Sequence, residues 1–580
     1  MVRIPDSTAP TADSGTIVSP SDHRRPSIVI STRDLQQIRR QRQEDVSYDQ
    51  IADELSLDSA DTLLTAIAGT MGLTTVDLTQ VSVDEQLVQE FPAKLVHRFG
   101  VFPLRRDGES LVVVSSDPFD LHSIDAVSAH VGQHVVPVLA LPDELSKLIK
   151  SHLGVGAETI DDLLSQTEED SVEVLGEVQF DNSEAAEMAQ EASVVRLVNE
   201  ILSEAVLAQA SDIHIEAQES GIKIRYRIDG VLQRQPTPPE INRFHSAIVS
   251  RLKIMAQMNI AEKRVPQDGR IKLRVGGREV DIRVSVIPML HGEGIVMRIL
   301  DKERMQFSLR DIGMPADVYE SFQKLIRLPH GILLVTGPTG SGKTTTLYSA
   351  LNEIKSEDTK IITTEDPIEY QLEGINQIQV HSKVGLTFAA SLRSILRHDP
   401  DVVLVGEIRD LETAENATQA SLTGHLVFST LHTNDSAGAF MRLCDMGVEP
   451  FLVSSTIEGV LAQRLVRTLC PECKQAYRPS TDDAPEDFPW QQMDERTGAI
   501  FRANGCRQCR GTGYSGRLGI YELLTTNDEI RHLASERQPA NVVKRAAISS
   551  GMRTLRGDGW EKVMQGVTTI DEVLRVTKAD

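Results

Sequence analysis

Apolar and polar positions along this chain follow two periods, and the place where one gives way to the other divides it. Residues 60–71 repeat apolar side chains at helical spacing, 110–115 are a short apolar run of strand length, and 134–153 run from a strand into an amphipathic helix. Residues 194–208 are helical again, and 212–216, 223–228, 271–275, 280–286 and 294–300 read as strands. Beyond about residue 307 the pattern changes. Short, wholly apolar runs such as 331–335 and 402–405 alternate with helical stretches, as in a parallel sheet covered by helices on both faces. The fold class expected is therefore α/β and multidomain. No window approaches the eighteen or so apolar residues that span a bilayer, so no transmembrane segment is expected.

Between these patterned regions the composition shifts. Residues 1–45 are rich in Ser, Thr, Pro, Asp and Arg and are expected to be disordered. Residues 46–154 form an amino-terminal α/β domain. Residues 158–187 hold eleven acidic side chains and no Lys or Arg, so 155–189 is read as an extended acidic linker. A locally basic α/β domain follows at 190–305, then a larger one at 306–580.

At 580 residues the chain suits several cores, and 40% hydrophobic with 25% charged residues is a globular composition. With 60 Lys+Arg against 84 Asp+Glu, the net charge of -24 argues against nucleic acid as the main partner. The first twenty residues lack a basic stretch followed by an apolar one, so no secretory signal is read and a cytoplasmic location is expected.

The most specific chemistry is Gly337-Pro338-Thr339-Gly340-Ser341-Gly342-Lys343-Thr344, between an apolar strand and a helix. Glycines let successive N–H groups turn inward on phosphates at the positive end of that helix. In this reading Lys343 reaches the β- and γ-phosphates of ATP and the Thr344 hydroxyl holds Mg2+, with Thr345 beside it. A second element places Glu407 after the buried run 402–405, at the ligand-binding edge of such a sheet. A third crowds Glu365, Asp366 and Glu369 near another strand end, a costly arrangement unless a cation or a proton transfer uses it.

Five cysteines are too few for a disulfide scaffold. Cys470 with Cys473 and Cys506 with Cys509 form two C-x-x-C knuckles, a closed donor set for structural Zn2+. Cys444 has no sequence partner and is read as buried.

These motifs, with Thr423-Gly424-His425 and Ser429-Thr430-Leu431-His432-Thr433-Asn434, resemble the secretion-superfamily ATPases that drive type II secretion and type IV pili. The resemblance covers roughly residues 190–575 and includes a Walker A motif, an aspartate-rich box at 365–369, a Walker B at 404–407 and a histidine box at 423–432. It implies a RecA-like P-loop core, a preceding small PAS-like domain and a zinc-bound arm at 465–515. It implies that Glu369 is the general base and that Glu407 organises Mg2+. His432 then contacts the γ-phosphate region, with His425 the weaker candidate. Arginines of the 190–305 domain, Arg270 and Arg283 foremost and Arg298 beside them, close over the nucleotide. The implied function is a homohexameric ATPase powering type II secretion from the cytoplasmic face of the inner membrane, docked on anchor and platform proteins. A type IV pilus extension ATPase is the alternative, and a nucleotide-binding scaffold with little hydrolysis a more distant one. Some amino-terminal domains of this family bind cyclic di-GMP through an Arg-Leu-Gly motif. Residues 30–100 contain no such triplet, so that ligand is not expected.

Overall fold

The computed structural model describes residues 30–43, 46–55, 57–78, 81, 83–153, 172–174, 192–301, 308–493, 498–506 and 508–579. The amino-terminal unit is a four-stranded sheet of β1 (Thr74–Thr75), β2 (Val101–Asp107), β3 (Ser110–Ser115) and β4 (His134–Leu139), in the order β1-β4-β3-β2. Helices Ala60–Met71, Leu121–Val131 and Pro142–Leu153 accompany it. The expected disorder over 1–45 needs correction at its end, the remainder lying outside the described residues. Thr32–Gln43 is a helix, and Ile30 and Ile38 are buried against Tyr48, Ile51 and Leu63. Two well-spaced apolar anchors suffice to dock a segment whose mean composition is polar.

In the second unit, β5 (Val172–Val174), β6 (Asp212–Gln218), β7 (Gly221–Ile228), β8 (Val231–Arg234), β9 (Gln267–Val275), β10 (Arg278–Met289) and β11 (Gly292–Asp301) form one sheet, ordered β5-β9-β10-β11-β6-β7-β8. Strand β5 comes from the acidic stretch read as a linker, the rest of which lies outside the described residues. It pairs antiparallel with β9, with Val172 in register with Val275. Helices Ala192–Leu207 and His245–Met255 accompany the sheet. Register places Arg270 opposite Arg283, Arg283 opposite Arg298, Arg298 opposite Asp212 and Asp212 opposite Arg227. Opposed residues share a face, so four guanidinium groups and one carboxylate form a row across five strands.

The larger domain is built on β12 (Gly331–Thr336), β13 (Ile361–Glu365), β14 (Asn376–Gln379), β15 (Val402–Val405), β16 (Leu426–Leu431), β17 (Ile457–Leu469) and β20 (Tyr514–Thr525), with β18 (Gln475–Tyr477) and β19 (Ile500–Arg502) as a separate small ribbon. The order is β14-β13-β15-β16-β12-β17-β20, parallel except at β20. Leu334, Val403, Val405 and Val427 enter one core while Leu333, Val335, Leu404 and Phe428 enter the other. Burial on both faces explains why these strands read as unbroken apolar runs. Among the described residues no helix is long and apolar enough to cross a membrane.

Candidate nucleotide site

Four parallel strands deliver functional side chains at one edge. Strand β12 ends in the loop to helix Lys343–Ile354, β13 leads to Glu369, β15 to Glu407 and β16 to His432. This is the carboxyl edge, where open α/β sheets bind ligands.

The loop is shaped for a phosphate. Gly342, at φ +90°, caps the helix without a side-chain bond, so the first-turn N–H groups are left for an anion at the positive helix end. Gly337, at φ +150°, is pressed so close that a Cβ there would lie 2.5 Å from the Gln463 carbonyl oxygen and 2.6 Å from Ser341 Oγ. Ser341 is 3% exposed, and its Oγ has no hydrogen-bond partner among the described residues. Lys343 Nζ donates to the carbonyl oxygens of Gly337 (2.8 Å) and Pro338 (3.1 Å). Burial pulls this ammonium below the usual lysine range; Glu407 opposes that shift and Arg464 adds to it. Pro338, Thr339, Gly340 and Thr344 are exposed. These features fit a triphosphate, with the Thr344 hydroxyl and Glu407 as the groups able to hold Mg2+.

Glu407 is nearly enclosed. Its Oε1 lies 2.5 Å from Arg409 Nη2 and its Oε2 lies 3.4 Å from His432 Nε2. The Thr336 hydroxyl accepts from the Thr433 N–H at 2.9 Å, which clips the start of the phosphate loop to the residue after His432. His425 behaves differently. It sits before β16, at the opposite end of the strand, with Nδ1 2.9 Å from the Ala420 carbonyl oxygen, so the structure separates it from the site.

Within the acidic box the carboxylates divide. Glu365 is buried, accepting from Tyr348 OH, Thr363 Oγ1 (2.5 Å) and Gln377 Nε2 (3.1 Å), so it is satisfied internally. Glu369 instead meets the basic domain: Arg283 Nη1 lies 2.8 Å from its Oε2, and Arg283 Nη2 donates to the Ile368 carbonyl oxygen at 2.8 Å. The other arginines of the row are sorted by their partners. Asp212 accepts from Arg298 Nε at 3.1 Å and lies 3.5 Å from Arg227 Nε. Arg270 is exposed beside Arg283.

Sequence reasoning passed over three residues here. Gln463 and Arg464 on β17 press on the phosphate loop, with Thr346 Oγ1 donating to Gln463 Oε1 at 2.7 Å and Arg464 Nη2 to the Asn434 carbonyl oxygen at 2.7 Å. A polar pair interrupting the apolar stretch 459–466 was the available signal. Arg409, two residues after Glu407, is the third.

The description "Type II/IV secretion system protein" matches residues 187–575, and that of the MshEN domain matches 71–159. The chain belongs to the type II/IV secretion system protein family. Among its relatives, the type II secretion system protein E of Xanthomonas campestris pv. campestris is 46% identical over 88% of this chain and 89% of its own length. The type IV pilus assembly ATPase PilB of Myxococcus xanthus is 42% identical over 88% of this chain and 90% of its own. The type II secretion system protein E of Pseudomonas aeruginosa is 53% identical over 68% and 77%.

The four thiols of this family member stand apart from the nucleotide edge. Cys470, Cys473, Cys506 and Cys509 have their Sγ atoms all within 4.8 Å of one another. Measured pairs are 3.8 Å (Cys470 to Cys506), 3.8 Å (Cys473 to Cys509) and 3.7 Å (Cys506 to Cys509). A tetrahedron with metal–sulfur bonds of about 2.3 Å has edges of about 3.8 Å, so the donor set fits Zn2+. Cys444 is buried elsewhere.

Proposed function

We propose that this chain is an ATP-hydrolysing motor, a hexamer working at the cytoplasmic face of the inner membrane, that powers type II protein secretion. The observation that carries the reading is the meeting of Arg283 with Glu369, which brings the basic domain onto the carboxylate best placed to be the base. The larger domain then acts as a RecA-like core and the 190–305 domain as a PAS-like lid.

Phosphate oxygens sit on the loop N–H groups and Lys343. Bound Mg2+, held by Thr344 and Glu407, would neutralise charge on the β- and γ-phosphates. Arg283 and Arg270 approach the γ-phosphate from the lid; an always-charged guanidinium binds its oxygens bidentately. As the γ-phosphate draws Arg283, the Glu369 oxygen is released to take a proton from water. The water oxygen bonds to the γ-phosphorus while the bond to the β,γ-bridging oxygen breaks. His432, 3.4 Å from Glu407, reports on the same oxygens. Zn2+ on the four cysteines fastens the arm at 465–515 and takes no part in the chemistry. Anchor and platform proteins of the secretion machine are the expected membrane partners, and closure of the lid around the ring supplies the motion.

Lys343→Ala tests the site. It is expected to abolish phosphate release while leaving the fold intact, and normal steady-state hydrolysis by that variant would overturn the assignment. The Myxococcus relative covers as much of this chain as the Xanthomonas one, which makes pilus extension the second reading. Complementation of strains lacking one motor or the other separates the two.

A further inference from the structure

The loop before β9 is braced far beyond what a surface connection needs. Lys253, fully buried on helix His245–Met255, pairs with Glu293 Oε1 of β11 at 2.6 Å and donates to the Glu262 carbonyl oxygen at 2.7 Å. Gln267, the first residue of β9, donates to that same carbonyl at 2.8 Å and to the Asn259 carbonyl at 3.0 Å, and its Oε1 accepts from the Asn259 N–H at 2.9 Å. Two residues on, a Cβ at Gly269 would lie 2.3 Å from the Ala256 carbonyl oxygen, so β9 runs directly against the end of that helix. Lys253 and Gln267 meet on the one Glu262 carbonyl oxygen, so this frame ties the start of β9 to helix His245–Met255. The next side chain is Arg270, opposite Arg283.

Resting on the reading that the guanidinium row contacts the nucleotide, we propose that Gln267 and the Lys253–Glu293 pair are positioning residues. They set the strand so that Arg270 faces the γ-phosphate beside Arg283. The brace does not touch the substrate. It removes the freedom that an exposed arginine on a strand end would otherwise keep, and small errors of placement are expensive in catalysis.

The test uses the full-length chain, Mg-ATP and four variants: Q267A, R270A, their double, and K343A as control. Q267A is expected to lower kcat about ten-fold or more, with KM and thermal midpoint close to those of the parent. The double variant should be no slower than R270A, because the brace works only through that arginine. A parent-like kcat for Q267A, or a double variant slower than R270A by the full Q267A factor, overturns the proposal. So does a parent-like kcat for R270A; in that case an inactive K343A leaves the ATPase reading standing, whereas an active K343A removes both. If Q267A does not fold, K253M/E293L replaces the pair with apolar side chains of similar reach, and the same kcat loss without a KM change is expected of it.

Discussion

Glutamine at position 572 should loosen the carboxyl-terminal helix Ile570–Val576 by an amount that depends on pH. Glu572 is buried, yet its carboxylate accepts from the Arg467 N–H (3.0 Å) and Nη2 (2.7 Å) and from Arg575 Nε (2.9 Å) and Nη2 (2.6 Å). Burial alone would push this carboxyl up; bonds from Arg575 and Arg467 outweigh it and hold it at about 2, against 4.5 when free. That difference corresponds to about 3 kcal/mol at neutral pH. The folded value is depressed, so the contribution is complete above the free value and is lost as pH falls from there toward 2. At pH 4 about 0.8 kcal/mol of it has gone. Amide hydrogen exchange over residues 570–576 in E572Q and the parent reads this directly, with intrinsic rates cancelling in the ratio. E572Q should exchange about 100-fold faster at pH 7, and the gap should narrow at pH 4. Equal exchange at pH 7, or an undiminished gap at pH 4, would refute the reasoning.

Glu369→Gln keeps shape and loses basicity. Turnover should fall about 100-fold or more with nucleotide binding retained, and parent-like phosphate release would remove Glu369 as the base. Gly337→Ala puts a Cβ 2.5 Å from the Gln463 carbonyl oxygen, and nucleotide affinity in a fluorescent-nucleotide titration should drop about ten-fold, or 1.4 kcal/mol; undiminished affinity would mean that the close approach is unnecessary. Elemental analysis should find one zinc per chain in the parent and none in C473S/C506S, and equal zinc in the two would show that these thiols do not hold it.

Much of the scaffold is legible because local rules and burial agree there. Strand β3 and helix Ala60–Met71 run where the apolar spacing places them, and the apolar run at 402–405 is β15. Strand β9 is the instructive miss. Only 271–275 alternates clearly, and the strand begins four residues earlier, at Gln267, because pairing with β10 and the bonds between Gln267 and Asn259 extend it through Asp268 and Gly269, residues of low strand propensity. The phosphate loop and Glu407 can be read from spacing. The pairing of Arg283 with Glu369 cannot, since it joins positions 86 apart, one on β10 and the other after β13 of a different sheet. Nor can spacing say that Asp212 engages Arg298 while Arg270 stays exposed; only the register across β9, β10, β11 and β6 orders that row.

Strand β17 joins two places that the chemistry treats as separate. Gln463 and Arg464 form a wall of the phosphate loop, and six residues beyond Arg464 comes Cys470. At about 3.3 Å per residue that is roughly 20 Å of extended backbone, hydrogen-bonded along most of its course to β20. A paired strand yields less than a loop does, so a displacement at its Gln463 end is carried toward Cys470, across the register shift between Arg467 and Leu469.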